Sequence, residues 1–310
     1  MSPRPPAVAR LPEEPGVYRF RGATGEVLYV GRAVNLRRRV GSYWGDLRGR
    51  AHLSAMVPRI ARIEALVCAS EHEAAWLERN ILERHLPPWN RTRGGEESPV
   101  HLCLDVSATT PGLRAAHLPR SGCFGPYLGG LKVRMAVTAL HRVYPLAYTG
   151  IALTAAEQEM ARLRGVVPAD RPRFAEALTA VLRRRRQAVR QVCAELSARR
   201  DEAAAAEAFE LAARIQEELA AIAWITAPQR VTTMTATDAE FSAYAGGVRV
   251  RFEVRGGRLC DWHESPAAEP ETGPAVPPRW ASFAGRNAAL AAALDPRMHP
   301  PGRRDGSGSG

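Results

Sequence analysis

Apolar and polar positions change their period several times along the chain. "PGVYRF" (15–20) and "EVLYVG" (26–31) are short β-rich runs, and the glycine-bearing "RGATG" between them predicts a hairpin. Asn35 is placed to cap a helix through "LRRRVGSYW". "RIARIEALVCAS" (59–70) is apolar and β-branched, which predicts a third strand. Ser70 with Glu73 three residues later forms a capping-box pattern, opening a helix to about His85 that "LPPWN" stops. Residues 10–90 therefore read as a β-β-α-β-α unit of α+β class.

Beyond 92 the pattern is mixed. "VHLCLDV" predicts a strand and 131–142 a helix, while 154–224 reads almost entirely as helix. Phe209, Ala212, Ile215, Leu219 and Ile222 recur at three- and four-residue spacing and form an apolar stripe. Residues 247–260 alternate around a Gly-Gly turn, predicting a second hairpin. The Pro-, Ala- and Gly-rich stretch after about 265 reads as a disordered tail.

Composition narrows the function classes. The 310-residue chain is 45% hydrophobic, as soluble globular proteins are. It carries 43 basic and 32 acidic residues, a net charge of +11, and Lys132 is its sole lysine. Arginine in such excess points to phosphate partners, because its planar fork matches phosphate oxygens. GC-rich coding produces the same bias without function. Five cysteines, none in a CxxC pair, suggest a reduced cytoplasmic chain without disulfides or zinc. The N-terminus has no apolar core of a signal peptide, no run is long enough to span a membrane, and the eight histidines show no ligand spacing.

The candidate chemistry sits in the first ninety residues. On the helix from 70 to 85, Ala74, Leu77 and Ile81 define the inward face, and Glu78 points along it. A carboxylate there needs an arginine or a cation. On the helix after Asn35, Leu36, Val40 and Tyr43 face inward with Arg39 beside them, and Arg37 and Arg38 point outward. Glu78 and Arg39 either pair with each other or line one cleft. Gly31, at the end of "YVG", reads as a turn that lets the backbone approach a phosphate.

Tyr18 and Tyr29 stand with ten residues between them in "GVY…YVG", a pattern that resembles the signature of the GIY-YIG nuclease family. With Asn35, Arg39, Tyr43, Glu78 and Asn90 in family order, the stretch is similar to the N-terminal nuclease module of the excinuclease subunit UvrC. "CFGPYLGGLKVRMAVTALHRVYPL" (123–146) is similar to the segment that follows that module. "AFELAARIQEELAAI" (208–222) resembles the UVR helical hairpin, and "VRFEVRGGRLCDWHE" (250–264) the hairpin that opens the second half of UvrC. The resemblance covers about 8–265, and the length is nearest to short homologues of the Cho type. It implies a nuclease domain over 8–92, a UvrC-like linker segment over 93–150, a helical region over 151–226 with the UVR-like hairpin, a β-hairpin remnant over 227–265 and a tail over 266–310. The segment after "YPL" lacks the cysteines that many UvrC proteins use for an iron–sulfur cluster, so none is expected. Arg32 stands where the family usually has lysine.

The resemblance implies a metal-dependent endonuclease that cuts damaged double-stranded DNA on the 3′ side of the lesion together with UvrB. Glu78 would hold Mg²⁺ or Mn²⁺. Tyr29 would act as general base with its pKa lowered by Arg39 and Arg32, Tyr18 and Tyr43 would orient water and phosphate, and Asn90 would brace the site. Arg37 and Arg38 would contact flanking phosphates, whereas the run 183–186 reads as a solvated face. Phe209, Ala212, Ile215 and Leu219 would meet UvrB unless they pack within the chain. A non-catalytic adaptor for DNA or UvrB, or a nuclease of this fold outside repair, are the alternatives.

Overall fold

The computed structural model describes residues 3–45, 52–94, 97–268 and 275–297. It divides into two units, one built from 1–96 with 229–310 and the other from 97–228. In the first, a short helix α1 (Ala7–Arg10) precedes β1 (Gly16–Arg21) and β2 (Val27–Ala33), then α2 (Leu36–Gly41), β3 (Arg62–Val67) and α3 (Glu71–Arg84). The three strands form an antiparallel sheet of order β2-β1-β3, which is the expected β-β-α-β-α unit. Its core holds Tyr18, Phe20, Leu28, Leu36, Val40 and Tyr43. The Asn35 side chain accepts the Arg38 amide at 2.9 Å and starts α2, and Ser70 accepts the Glu73 amide at 3.0 Å and starts α3.

The second unit contains β4 (Pro99–Asp105), β5 (Gly112–Ala116), β6 (Cys123–Leu128), α4 (Gly130–Val143), α5 (Ala155–Leu163), α6 (Arg171–Leu182), α7 (Arg186–Ala205) and α8 (Phe209–Thr226). The strand at 99–105 and the helix at 130–143 follow the sequence pattern; β5 and β6 complete a sheet of order β5-β4-β6. The helical stretch is broken where Arg184 and Glu207 take left-handed backbone, with φ of 59° and 56°. No Gly or Pro marks these breaks, so the sequence hid them. The expectation of a chain without disulfides is corrected: Cys103 and Cys123 are bonded. Twenty residues apart in sequence, they become direct neighbours across β4 and β6, a register that cysteine spacing does not reveal.

The chain then returns to the first unit with β7 (Ala239–Ala245), β8 (Val248–Arg255), β9 (Arg258–Pro266) and α9 (Pro278–Leu294). The expected hairpin is the β8–β9 part of a three-stranded sheet, turned at Gly256 and Gly257 with φ of 54° and 76°. Reading 266–310 as a disordered tail is corrected over 278–294, where α9 buries Trp280, Phe283, Ala284, Asn287, Ala288, Ala291 and Leu294. These residues recur at helical spacing, and the prolines and alanines around them masked the pattern. No helix among the described residues is long and apolar enough to cross a membrane.

Asn287 ties α9 to the outer edge of β3. Its carboxamide oxygen accepts the Val67 amide at 2.7 Å, and its nitrogen donates to the Val67 carbonyl at 3.2 Å. Asn287 is fully buried, so no water replaces it. Asn287→Ala strands two buried backbone groups and is expected to cost about 2 kcal/mol or more. Urea unfolding of the full chain checks this; an unchanged midpoint would show that Val67 finds other partners.

Candidate active site

β1 and β2 pair so that Tyr18 lies opposite Gly31 and Phe20 opposite Tyr29. Period-two alternation then puts Tyr18, Phe20, Tyr29 and Gly31 on one face. α2 leaves β2 directly, buries Leu36 and Val40, and passes into a tight turn (Ser42–Trp44) that delivers Tyr43 to the same place. Ring centres of Tyr18, Tyr29 and Tyr43 stand 6.0–6.2 Å apart in a triangle. The Tyr18 and Tyr43 hydroxyls are 2.8 Å apart, and Arg39 donates from Nε to the Tyr18 hydroxyl at 3.4 Å. The Arg39 guanidinium also lies 5.8 Å from the Tyr43 ring centre. Ser42 braces this turn by donating to the Arg39 carbonyl at 2.7 Å, a contact that the sequence did not announce.

Gly31 has a different role from the one expected. It lies inside β2 and has no left-handed backbone. A Cβ there would come within 2.6 Å of the Tyr18 hydroxyl and 2.8 Å of the Tyr29 ring. Glycine is required because two aromatic rings close over that position.

β2 is an edge strand, and its outward backbone groups are filled by side chains and by the segment after α3. The Trp89 amide donates to the Leu28 carbonyl at 3.2 Å. Asn90 accepts the Val30 amide at 2.9 Å and donates to the Val30 carbonyl at 2.8 Å. Glu78 Oε1 accepts the Arg32 amide at 3.1 Å. The other carboxylate oxygen faces Arg32 Nε at 3.3 Å, so the partner of Glu78 is Arg32 and not Arg39. Asn90 thus braces the strand that carries Tyr29, and Trp89 does so through a backbone group that no side-chain pattern reports.

The tyrosines are not primed by their surroundings as expected. Burial pushes the Tyr18, Tyr29 and Tyr43 hydroxyls well above the ordinary tyrosine range. For Tyr29 the neighbouring Tyr43 and the Glu78 charge add to burial, and Arg39 opposes them without prevailing. The expectation that Arg39 and Arg32 lower the Tyr29 pKa is corrected: desolvation outweighs the attraction of Arg39.

Glu78 is a carboxylate whose charge acts on Tyr29, and its side chain is 22% exposed. Among the described residues no group of three or more His, Cys, Asp or Glu side chains could hold a metal. A single hard carboxylate beside hydroxyls still fits Mg²⁺, which keeps several waters and takes one or two carboxylates from a protein. Arg38 is exposed beside the cluster. Arg37 is held in place: it donates to the Leu11 carbonyl at 2.7 Å and to Glu13 at 2.8 Å. In the other unit, Phe209 is 66% exposed, Ala212 and Leu219 are half-buried, and Ile215 is buried in the core. The expected four-residue partner stripe is therefore corrected to a surface around Phe209, because helical spacing alone does not distinguish core from interface.

Residues 14–91 match the family profile of the UvrC-like GIY-YIG domain. The chain carries a UvrC-like GIY-YIG domain. Two UvrABC system proteins C align well beyond it. That of Geobacter metallireducens is 36% identical over 142 residues, covering 44% of this chain and 23% of the relative. That of Mycobacterium sp. (strain KMS) is 40% identical over 145 residues, covering 45% and 21%. The match thus spans less than a quarter of the length of these relatives. The GIY-YIG N-terminal endonuclease domain of UvrC from Thermotoga maritima, solved with magnesium, is 28% identical, with a TM-score of 0.26 and coverage of 28% of this chain and 100% of that one. The GIY-YIG tyrosines, Arg32, Arg39, Glu78 and Asn90 all lie within the matched segment.

Alkaline titration tests the buried cluster. The folded-state pKa values of Tyr18, Tyr29 and Tyr43 are raised above the ordinary 10.0. Their contribution to stability is therefore complete below pH about 10 and is lost as pH rises through the folded values, because the unfolded chain ionises first. Tyrosinate absorbance of the folded chain at pH about 11 is expected to fall short of seven ionised tyrosines. Seven titrating near pH 10 without unfolding would show that the cluster is open to water.

Proposed function

We propose that the chain is a divalent-metal-dependent DNA endonuclease that incises damaged duplex DNA on the 3′ side of the lesion in nucleotide excision repair, acting with UvrB. The observation that carries this reading is the convergence of Tyr18, Tyr29, Tyr43 and Arg39 on one face of the small sheet, with the Arg32–Glu78 pair at the edge of the strand that carries Tyr29, inside the UvrC-like GIY-YIG segment.

Glu78 would hold the ion, and a bound divalent cation neutralises charge on the scissile phosphate and on the leaving oxygen. Arg39, with its Nε on the Tyr18 hydroxyl, keeps N–H donors for phosphate oxygens. Tyr18 and Tyr43 share a hydrogen bond and fix each other's hydroxyls, so that neither must be ordered when substrate arrives. Tyr29 is the half-buried residue of the three and would accept the proton of the attacking water. Its raised pKa makes the hydroxyl reluctant to ionise alone, so deprotonation would need the positive charge collected beside it.

Glu78→Gln keeps size and removes the charge. Incision of a damaged duplex with UvrA, UvrB and Mg²⁺, with each strand end labelled, should yield the 3′-side product for the parent. The variant should lose on the order of a thousandfold in rate while still binding DNA. Parent-rate cutting by the variant would reduce Glu78 to a structural carboxylate, and a 5′-side product at equal yield would overturn the polarity.

UvrB is proposed to meet the α7–α8 hairpin at Phe209, the exposed aromatic at the start of α8. Truncating an aromatic at an interface centre costs roughly 2 kcal/mol, about thirtyfold in affinity. Phe209→Ala should weaken UvrB binding by that factor with the melting temperature unchanged. Unchanged binding, or a sharp fall in melting temperature, would remove Phe209 from the interface.

A further inference from the structure

The unit formed by 97–228 contains a cleft of about 460 Å³ whose lining includes Arg142, Arg164, Arg173 and Arg199 but only one carboxylate, Asp170. Each guanidinium is held from behind. Arg142 gives Nε and one Nη to the buried Glu218 at 2.7 Å each, a bidentate pair. Arg199 is fixed by Glu195 at 2.9 Å and donates to the Arg142 carbonyl at 2.8 Å. Arg173 bonds Asp170 at 2.8 Å, with its guanidinium 4.9 Å from the Phe174 ring centre. Arg164 lies 5.5 Å from the Tyr148 ring centre and, among the described residues, has no carboxylate partner.

We propose that this cleft is a second nucleic-acid contact, separate from the GIY-YIG site, which takes the phosphodiester backbone of DNA. A guanidinium has five N–H donors, and these pairings leave donors unused on every one of the four. Arginines already braced by carboxylates and rings lose little further side-chain freedom on binding an anion, and four of them along one cleft offer separate donors to successive phosphates of a polymer. Glu218, Glu195 and Asp170 offset three of the charges, so Arg164 supplies the uncompensated one. Asp170 does not compete for the cleft, because its oxygens accept from Arg173 and from the Val167 amide at 3.1 Å. No base-reading geometry is implied: backbone contacts position a duplex without reading its sequence.

The test uses the full chain in EDTA, with a fluorescent duplex and anisotropy titrations between 50 and 300 mM NaCl. Each phosphate contact contributes about 0.9 to the slope of log affinity against log salt. Arg164→Ala with Arg173→Ala should make that slope shallower by about 1.8, whereas Arg164→Lys with Arg173→Lys should stay near the parent. If freeing Asp170 lowers the melting temperature, Arg164→Glu, which breaks no ion pair, decides on the same slope. A parent-like slope in the alanine variant at parent stability overturns the proposal, including the case in which the cleft serves an acidic protein. This proposal rests on the DNA reading alone, and the titration in EDTA reads binding without cutting, so failure of the incision reading and failure of this contact remain distinguishable.

Discussion

The unsatisfied edge of β2 is the constraint on which the site depends. In an antiparallel edge strand, alternate residues point their backbone N–H and C=O groups away from the partner. Here those residues are 28, 30 and 32, and they are met by Trp89, Asn90 and Glu78. The strand is thereby held in one register between β1 and the segment after α3. That register puts Tyr29 opposite Phe20 and Gly31 opposite Tyr18. One carboxylate consequently finishes a backbone edge and faces the tyrosine cluster. Structure and chemistry meet in Glu78, so a change at this residue acts on both.

The opposite face of the same sheet is ionic. Arg19, 2% exposed, pairs with Glu64 on β3 and with Asp261 on β9, and its guanidinium lies 3.7 Å from the Trp262 ring centre. Burial opposes ionisation of Glu64, but Arg19 and Arg21 outweigh it and hold its carboxyl below the ordinary range. Glu264, paired with Arg62, is pushed up to about 7 by burial and by the Glu64 charge near it. Buried ion pairs of this kind add little net stability, but losing one partner is costly. They fix which residues of β9 meet β1, so β7–β9 are part of the first unit and not an appendage. Asn287 at the β3 edge mirrors Asn90 at the β2 edge, and each clamps one peptide group.

The first ninety residues were legible because their signals are local: alternation for β1 and β2, Asn35 and Ser70 as caps, and a helical face that includes Glu78. Even so, which arginine Glu78 would meet depended on strand register, and register is a long-range property. The same limit hid the Cys103–Cys123 bond and Asn287, whose partners lie far away in sequence. α9 was hidden differently. Its helical period is present, but the surrounding Pro and Ala content outweighed it in a compositional reading. The breaks at Arg184 and Glu207 had no signal, since ordinary residues adopt left-handed backbone there. Ile215 and Phe209 share one stripe and have opposite fates, because periodicity identifies a face and not what covers it.

Arginine at position 32 sharpens the question of how a cation reaches Glu78. The Arg32 amide is fixed in β2, so Glu78 Oε1 is committed wherever the Arg32 side chain goes. The guanidinium is 38% exposed and meets Oε2 at 3.3 Å through Nε. A pair this open to solvent is worth about 1 kcal/mol or less. If Glu78 holds a divalent ion as proposed, that ion would bring twice the charge to the same oxygen, and the arginine stem would be free to swing toward solvent or toward a phosphate. The backbone bond therefore orients the carboxylate and the side-chain bond occupies it reversibly. A lysine would reach the same oxygen as a compact point charge. The planar fork of Arg32 can leave Oε2 and engage two phosphate oxygens at once. On these grounds Arg32 retains the charge at this corner of the site, and under the proposed function it would couple release of the carboxylate to arrival of the phosphate.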